Sequence, residues 1–217
     1  INQDYKEALE TKAIEALAAT NSEVRATAAQ TLAELGTLIA EQALINLAQN
    51  DNSPSVIAWA ATALGEIKSK AASNSVLLNL LKSPEPQVRY SAVRALGEIN
   101  NPVFIKHHLP PLLNDPYIPI KMAVCETLGN SGDRRFYQAV ANQTRSSDTN
   151  IYISCLIAAT KLDAERSLPF LVKLMADENR EIRLQAIYLL GGTTTKEVAR
   201  LLGKTLKYDS DSGIRYT

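Results

Sequence analysis

The sequence has 217 residues, of which 46% are hydrophobic, and its 23 basic and 23 acidic residues leave no net charge. It contains no block of five or more like charges, which argues against sequence-independent binding to nucleic acid, and no apolar run approaches the roughly 18 residues that cross a bilayer. Its first residues lack the basic-then-apolar order of a secretory signal, so we expect a cytoplasmic protein without a nucleic-acid or membrane partner.

One short pattern returns along the whole chain. Its clearest copy runs from Val88 to Ile99, and an aliphatic residue opens each copy at positions 24, 56, 88, 120, 151, 182 and 214. A period of 31 to 32 residues indicates stacked helical units, none of which can bury its apolar face alone. The sequence therefore predicts an all-α fold, a right-handed α-solenoid of about six and a half two-helix repeats that occupies residues 1–217 as one domain.

Each period divides into a first helix and the patterned second helix. The first helices are expected at residues 4–19, 38–49, 71–82, 102–113, 134–145, 165–176 and 196–207. Asn, Asp, Ser and Pro separate each first helix from its second helix, where they cap free backbone amides or fit the first helical turn. The seventh copy stops at Thr217, a few residues into its second helix, so we expect a chain truncated at its C-terminal end.

Positions in the second helix can be counted from the opening aliphatic residue, at about 100° per residue. Offsets 0, 4, 5 and 8 are apolar or small in nearly every copy, and in the third copy they are Val88, Ala92, Val93 and Leu96. These offsets predict one continuous buried stripe. Glycine at offset 9, in positions 65, 97, 129 and 191, indicates the close approach of a neighbouring helix or a helix end.

The opposite stripe, at offsets 3, 6 and 10, varies from copy to copy. A binding surface would vary in this way, and so would plain solvent-exposed positions. Second helices usually line the concave side of such solenoids, so this stripe is the candidate partner surface. The leading partner-binding candidates are Trp59, Glu66, Arg94, Glu98, Glu126 and Tyr188.

Two features of this stripe have more than one interpretation. Trp59 replaces small residues of other copies, and it is either an interface hot spot or a side chain that fills a gap between helices. Glu34, Glu66 and Glu98 align in three successive copies, where they would suit a basic partner or form solvated helix ends.

A basic residue follows the opening aliphatic residue in five copies, as Arg25, Arg89, Lys121, Arg183 and Arg215. We expect a structural role, in which each pairs with an acidic turn residue or a helix carbonyl of an adjoining repeat; a track for anionic ligands is the alternative. Cys125 and Cys155 occupy core offsets and are expected to be inert thiols, which suits a reducing compartment. No catalytic, metal-binding or phosphate-loop motif is found, so no catalytic or metal-ligating residue is predicted.

The pattern resembles the HEAT repeats, and within them the short repeats named for phycobilisome lyases. The shared motif is an acidic or polar turn followed by Val-Arg-x-x-Ala-x-x-x-Leu-Gly, which is clearest at Val88-Arg89, Ala92 and Leu96-Gly97. Ile57 and Tyr152 depart from the motif, because the basic residue is absent there. The resemblance covers essentially the whole chain, and it concerns the scaffold residues, which carry the fold rather than a function.

We expect a non-catalytic scaffold or adaptor that binds another protein along its second helices and needs no cofactor. The resemblance implies an alternative, a subunit of a phycobilin lyase or a related phycobiliprotein chaperone. A phycobiliprotein subunit would then be the partner, a bilin would be the cofactor, and Arg94 would meet the bilin propionates. A third hypothesis is the regulatory repeat region of a larger multidomain protein.

Overall fold

Helical hairpins repeat along the computed structural model of the chain. The structure describes residues 3–73, 75–192 and 196–215, and the regular elements in these ranges are helices, as the sequence predicts. The described residues up to Ser131 form one compact unit, here called the first unit, and those from Gly132 onward form the second unit.

In its described residues the first unit is a series of hairpins, each with a first and a second helix. The helices are α1 (Gln3–Ala16), α2 (Ser22–Leu35), α3 (Glu41–Asn50), α4 (Pro54–Glu66), α5 (Lys70–Ser73), α6 (Val76–Leu80), α7 (Pro86–Ile99), α8 (Pro102–His108) and α9 (Ile118–Asn130). The second helices α2, α4, α7 and α9 follow one another, and each packs on the next. Each opening aliphatic residue lies in the first turn of its second helix, which confirms the repeat positions in this unit.

The second unit has the same plan in its described residues. Its helices are α10 (Tyr137–Gln143), α11 (Thr149–Leu162), α12 (Ala164–Leu174), α13 (Arg180–Gly191), α14 (Lys196–Tyr208) and α15 (Ser212–Arg215). Each helix from α10 to α14 packs on the one that follows it. Although the fifth copy lacks the Leu-Gly pair, α11 is a continuous helix. The Asp148 side chain caps its start by accepting the backbone N–H groups of Asn150 and Ile151. Tyr216 and Thr217, in the seventh copy, lie outside the described residues.

Three first helices differ from the sequence prediction. Helix α8 ends at His108, and the 3₁₀ helix Pro110–Asn114 replaces its expected last turns. Pro110 and Pro111 cause this change, since proline lacks the N–H donor and its ring clashes with the preceding turn. The helix expected at 71–82 is divided into α5 and α6, with Ser75 in a turn just before α6, and α10 is preceded by a 3₁₀ helix, Arg134–Phe136.

The apolar stripe of the second helices forms the core. In the third copy Val88, Ala92, Val93 and Leu96 are each at most 1% exposed. The stripe is buried or partly buried in the other copies, except at Val24, which is 44% exposed. Among the described second helices only α4 packs closely on α2, so one flank of α2 has no second helix beside it. The predicted stripe is therefore confirmed except at Val24.

Glycine at offset 9 allows neighbouring second helices to touch. A Cβ atom built on Gly65 would lie 2.6 Å from the Cα atom of Ala95, and one on Gly97 would lie 2.8 Å from Oγ1 of Thr127. Contacts this short force the neighbour to move, so a larger residue does not fit there. Gly191 differs, because no atom lies within 4 Å of its Cβ position. Close helix approach thus explains the glycine in two copies but not in the sixth.

Candidate partner-binding surface

An arginine clamp joins successive hairpins. The Nε and Nη2 atoms of Arg25 donate hydrogen bonds to the two carboxylate oxygens of Asp51 at 2.7 and 3.0 Å. Nη1 of the same side chain donates to the carbonyl oxygens of Ala19 and Thr20, in the turn before α2. Asp51 also accepts the backbone N–H of Ser53, in the turn before α4. One guanidinium therefore ties two consecutive turns together.

The clamp recurs between Arg89 and Asp115 and between Arg183 and Asp209, with hydrogen bonds of 2.9–3.1 Å. In all three clamps the carboxylate side chain is at most 5% exposed. The hydrogen bond from Arg183 lowers the pKa of Asp209 below its ordinary value and outweighs the opposing effect of desolvation. The structural interpretation of these arginines is confirmed. Their guanidinium groups are engaged within the fold, so they do not form a free track for anions.

Repeats without the arginine differ from the clamp at one or both of its positions. Ile57 occupies the clamp position of the second repeat, and its counterpart 26 residues later is Ser83, the same separation as from Arg25 to Asp51. The Ser83 hydroxyl still accepts the backbone N–H two residues later, as the clamp aspartates do. In the second unit Tyr152 stands at the arginine position; burial raises the pKa of its phenol, and the Asp177 carboxylate raises it further. The aspartate position is therefore a serine in the repeat of Ile57, whereas it remains an aspartate, Asp177, in the repeat of Tyr152.

The exposed face of the second helices is narrower than the sequence suggests. Offset 3 is predicted to lie on it, and Thr27 at this offset is exposed, but Ser91 and Ala123 are only 9% and 4% exposed, so the prediction is wrong in those two copies. At Ser91 the reason is close packing of α4 on α7, where the Thr62 hydroxyl donates to the Ser91 hydroxyl at 3.3 Å, and Ala123 lies on α9, which packs on α7. Offset 10 is exposed in every described copy, and offset 6, one helical turn earlier, is exposed in α7, α9 and α13. In each unit these side chains form what is here called the second-helix surface: Glu34, Glu66, Arg94, Glu98, Glu126 and Asn130 in the first unit, and Lys161 and Tyr188 in the second.

Arg94 joins two exposed carboxylates on this surface. Its Nη1 atom lies 3.0 Å from Glu126 on α9, and its Nη2 atom lies 4.0 Å from Glu98, one turn along α7. The three side chains are 42–53% exposed, so water screens both pairs and each adds little to stability. With Lys68 and Asn130 they line a polar depression of about 240 Å³. The trio has one positive and two negative groups, so its net charge does not favour an anionic ligand.

Three aligned glutamates make the same edge more negative. Glu34, Glu66 and Glu98 lie in the last turns of α2, α4 and α7, which pack side by side. The free carbonyl groups at helix C-termini carry partial negative charge, so the carboxylates and the helix ends reinforce each other's potential. This arrangement favours a basic ligand. Trp59, earlier in α4, is partly buried, which is compatible with both interpretations of that residue.

Tyr188 stands beside a wide groove in the second unit. Its side chain projects from α13 and is 78% exposed. The groove has a volume of about 970 Å³, and its lining includes the apolar side chains Leu184, Ile187, Leu202 and Leu206 with Lys161 and Glu181 beside them. An exposed aromatic ring next to apolar walls and a few charged groups is the composition typical of protein interfaces.

The structure brings only some of the six predicted residues together. Arg94, Glu98 and Glu126 form one cluster, Glu66 and Trp59 belong to the adjacent helix α4, and Tyr188 lies in the other unit. The sequence pattern missed the apolar walls beside Tyr188. Leu202 and Leu206 belong to the next first helix, and their place in the groove depends on how α14 packs on α13, which helical periodicity alone does not reveal.

The two cysteines differ from the sequence prediction. Cys125 and Cys155 are both fully buried, but the chain contains no free cysteine, so the prediction of inert thiols is wrong. The apolar pattern predicts burial and does not determine oxidation state, and the cysteines therefore give no support to a reducing compartment.

Among the described residues, no group of three or more His, Cys, Asp or Glu side chains is placed to hold a metal ion. None of the described helices combines the length and the apolar character needed to cross a bilayer.

Comparison with protein families gives a match along most of the chain. A family model described as HEAT repeats matches residues 10–76, 74–149 and 138–217. No curated protein sequence matches the chain.

Several solved structures are similar in fold. The complex of CpcE and CpcF of phycocyanin lyase from Nostoc sp. PCC7120 has a TM-score of 0.66 and 20% identity, covering 95% of this chain and 92% of that chain. The E. coli protein YibA has a TM-score of 0.71 and 18% identity, covering 96% of this chain and 78% of that chain. The N-terminal domain of Mot1, solved in complex with TBP, has a TM-score of 0.63 and 17% identity, covering 100% of this chain and 33% of that chain. At these identities the similarity concerns the fold alone.

Proposed function

Because the chain belongs to the HEAT-repeat family, we propose that it is a non-catalytic scaffold that binds a partner protein along its second-helix surface. The repeat pattern uses one face of each second helix for the core and leaves offset 10, together with offset 6 in α7, α9 and α13, exposed. Side chains at these offsets are held on rigid, mutually packed helices, so little conformational entropy is lost when a partner binds them.

The exposed Tyr188 beside its apolar groove is the observation that carries this proposal. Tyrosine is enriched among residues that dominate binding energy, because it buries a large ring at low conformational cost. The groove volume of about 970 Å³ is large enough to accept several side chains of a partner. Lys161 and Glu181 beside the apolar walls would supply the polar rim of such an interface.

The charge of the first unit supports a partner with a basic segment. The second-helix surface there has four exposed glutamates, at positions 34, 66, 98 and 126, and one arginine, Arg94, that already pairs with two of them. Such a charge pattern chiefly raises the association rate and selects against acidic partners.

Site-specific photo-crosslinking in a native extract tests the proposal. A benzophenone amino acid replaces Tyr188 in one protein and Tyr5 in the control; Tyr5 is 61% exposed but lies on the first helix α1. We expect one protein to be captured from position 188 and not from position 5. With that protein purified, Tyr188→Ala should weaken binding by about 2 kcal/mol, roughly 30-fold, while Tyr5→Ala should change it little. Equal capture from both positions, or an unchanged affinity of Tyr188→Ala, would contradict the proposed surface.

A phycobilin lyase subunit or a phycobiliprotein chaperone is the second candidate function. Its support is the fold similarity to the phycocyanin lyase complex, together with the resemblance of the repeat motif. The contact proposed between Arg94 and bilin propionates is disfavoured, since Glu126 and Glu98 already neutralise that guanidinium. Incubation of the purified chain with a bilin and an apo-phycobiliprotein separates the two functions. Bilin colour that stays with the phycobiliprotein on a denaturing gel, above a control without the chain, would favour the lyase, and an uncoloured band would favour the scaffold.

A further inference from the structure

Helix α14 has a basic stripe on its exposed side. Lys196, Arg200, Lys204 and Lys207 are spaced four, four and three residues apart, which places them within an arc of about 80° on the helix. All four are exposed, and none forms an ion pair with a carboxylate whose side chain the structure describes. Glu197 is the only acidic residue of the helix, so four basic residues against one acidic residue give α14 a charge of +3. Other residues separate the four charges in the sequence, so they form no block of consecutive like charges.

A second groove of the second unit runs beside this stripe. It lies between α12 and α14, has a volume of about 290 Å³, and is lined by the apolar side chains Val172, Met175 and Leu201 with Lys204 and Tyr208. Val172 is 38% and Tyr208 69% exposed, so apolar surface is open to solvent beside the cations.

The one carboxylate in the lining does not cancel this positive charge. Asp209 is only 4% exposed, and both of its oxygens accept hydrogen bonds from Arg183 in the third clamp. A ligand in the groove would therefore meet Lys204 and the rest of the stripe without a competing free carboxylate from Asp209.

We infer that the groove between α12 and α14 is a second docking site, which binds an acidic peptide segment carrying a hydrophobic anchor. The cations complement glutamate and aspartate side chains, and the apolar floor accepts an aliphatic side chain of the same segment. Charge complementarity selects the sequence class, and the anchor fixes its position.

This site is distinct from the groove at Tyr188. Leu202 and Leu206 of α14 line the Tyr188 groove, whereas Leu201, Lys204 and Tyr208 line the groove at α12. The helical turn of about 100° per residue puts these two sets on different sides of α14. The two grooves are therefore separate sites on α14.

An anionic membrane fits the stripe less well than a peptide does. An amphipathic helix that binds a membrane inserts its apolar face among the lipids. The apolar face of α14 is already used, because Val198 is fully buried and Leu202 packs on the same core cluster as Leu190 and Leu171. A nucleic acid would meet the cations but would leave the aliphatic floor of the groove without a matching group.

Fluorescence anisotropy with three labelled probes tests the inference on the whole chain. The probes are a peptide of alternating glutamate and leucine, its glutamate–serine analogue, and a single-stranded DNA oligonucleotide. We expect the glutamate–leucine peptide to bind most tightly and to lose affinity as salt is added. The double substitution Arg200→Glu with Lys204→Glu should weaken binding of the glutamate–leucine peptide by roughly tenfold or more, since both changes replace attraction by repulsion. Val172→Ser should weaken the leucine peptide and leave the serine peptide unchanged.

The matched control is Lys82→Glu with Lys106→Glu, which changes the net charge equally at two exposed lysines of the first unit. We expect this control to bind the peptide as the unaltered chain does, and Tyr188→Ala to do the same. If the charge-reversed protein does not fold, Lys204→Gln with Lys207→Gln replaces it, with a smaller loss expected. Equal weakening in the control, tighter binding of DNA than of peptide, equal binding of the two peptides, or no peptide binding would each overturn the inference.

Discussion

Gly65 and Gly191 occupy the same offset of their second helices but have different surroundings. Gly65 faces the backbone of α7, where a Cβ atom would lie 2.6 Å from the Cα atom of Ala95, and Gly191 faces open space. A repeated glycine therefore has two explanations in one chain. At Gly65 the packing of α7 requires glycine. At Gly191 no neighbouring atom lies close enough to require it.

This difference predicts opposite effects of one substitution. Gly65→Ala should destabilise the protein by about 1–3 kcal/mol, because the backbone of α7 must move to admit the methyl group. Gly191→Ala should be neutral or stabilise by up to about 1 kcal/mol, since alanine has the higher helix propensity and meets no obstacle. Urea unfolding followed by circular dichroism measures both changes. If Gly191→Ala lowered the free energy of unfolding as much as Gly65→Ala does, the absence of a neighbouring atom at the Gly191 Cβ position would be contradicted.

At the scale of the element, the clamp is the contact that most clearly joins one hairpin to the next. Its arginine and aspartate are 26 residues apart in all three clamps, and Ile57 and Ser83 have the same separation in the second repeat, which has no clamp. Ser83 already makes the backbone hydrogen bond that the clamp aspartate makes. The second repeat therefore has the backbone geometry of a clamp without its charged groups.

We predict that Ile57→Arg and Ser83→Asp together install a fourth clamp. Each single substitution should be neutral or destabilising, because it leaves one charge partly buried without its partner. The double variant should recover this loss, with a coupling free energy of about 1–3 kcal/mol in a double-mutant cycle. The reverse cycle, Arg89→Met with Asp115→Asn, provides the matched reference for an existing clamp. Additive effects of Ile57→Arg and Ser83→Asp would contradict the view that these two positions suffice to form the contact.

The sequence predicts the second helices better than the first helices, for a physical reason. Each second helix has a turn residue or proline at its start and a buried stripe at fixed offsets, so both the cap and the core follow from residue spacing. The first helices have no such repeated motif. Their interruption at Pro110 follows from proline chemistry, while the break between α5 and α6 has no equally plain signal in the sequence.

The candidate site is predicted less completely than the fold. Arg94, Glu98 and Glu126 are correctly placed on an exposed face, because helix geometry alone puts offsets 6 and 10 there. Ser91 is wrongly placed, since its burial depends on how closely α4 approaches α7. The apolar floors of both grooves are missed for a similar reason, because each is formed where two helices meet.

At the scale of the whole molecule, stability in a repeat protein is approximately a sum of repeat terms and nearest-neighbour interfaces. Trp59 is the only tryptophan, and it lies in the first unit, on the helix that packs against α7. Its fluorescence therefore reports unfolding of the first unit, whereas circular dichroism reports the helices of both units. Leu96 of α7 and Leu190 of α13 are matched core positions, being at most 1% exposed at the same offset of their repeats.

Truncation of these two leucines separates local from global effects. Leu96→Ala should cost about 2–5 kcal/mol and lower the urea midpoint seen by Trp59 fluorescence. Leu190→Ala should cost a similar amount, but it should lower the circular dichroism midpoint more than the fluorescence midpoint, since only neighbouring repeats share an interface with α13. An equal shift of the Trp59 midpoint by both substitutions would mean that the chain unfolds as one cooperative body. In that case a partner bound at Tyr188 would stabilise the first unit as much as the second, and the two would not respond to ligands independently.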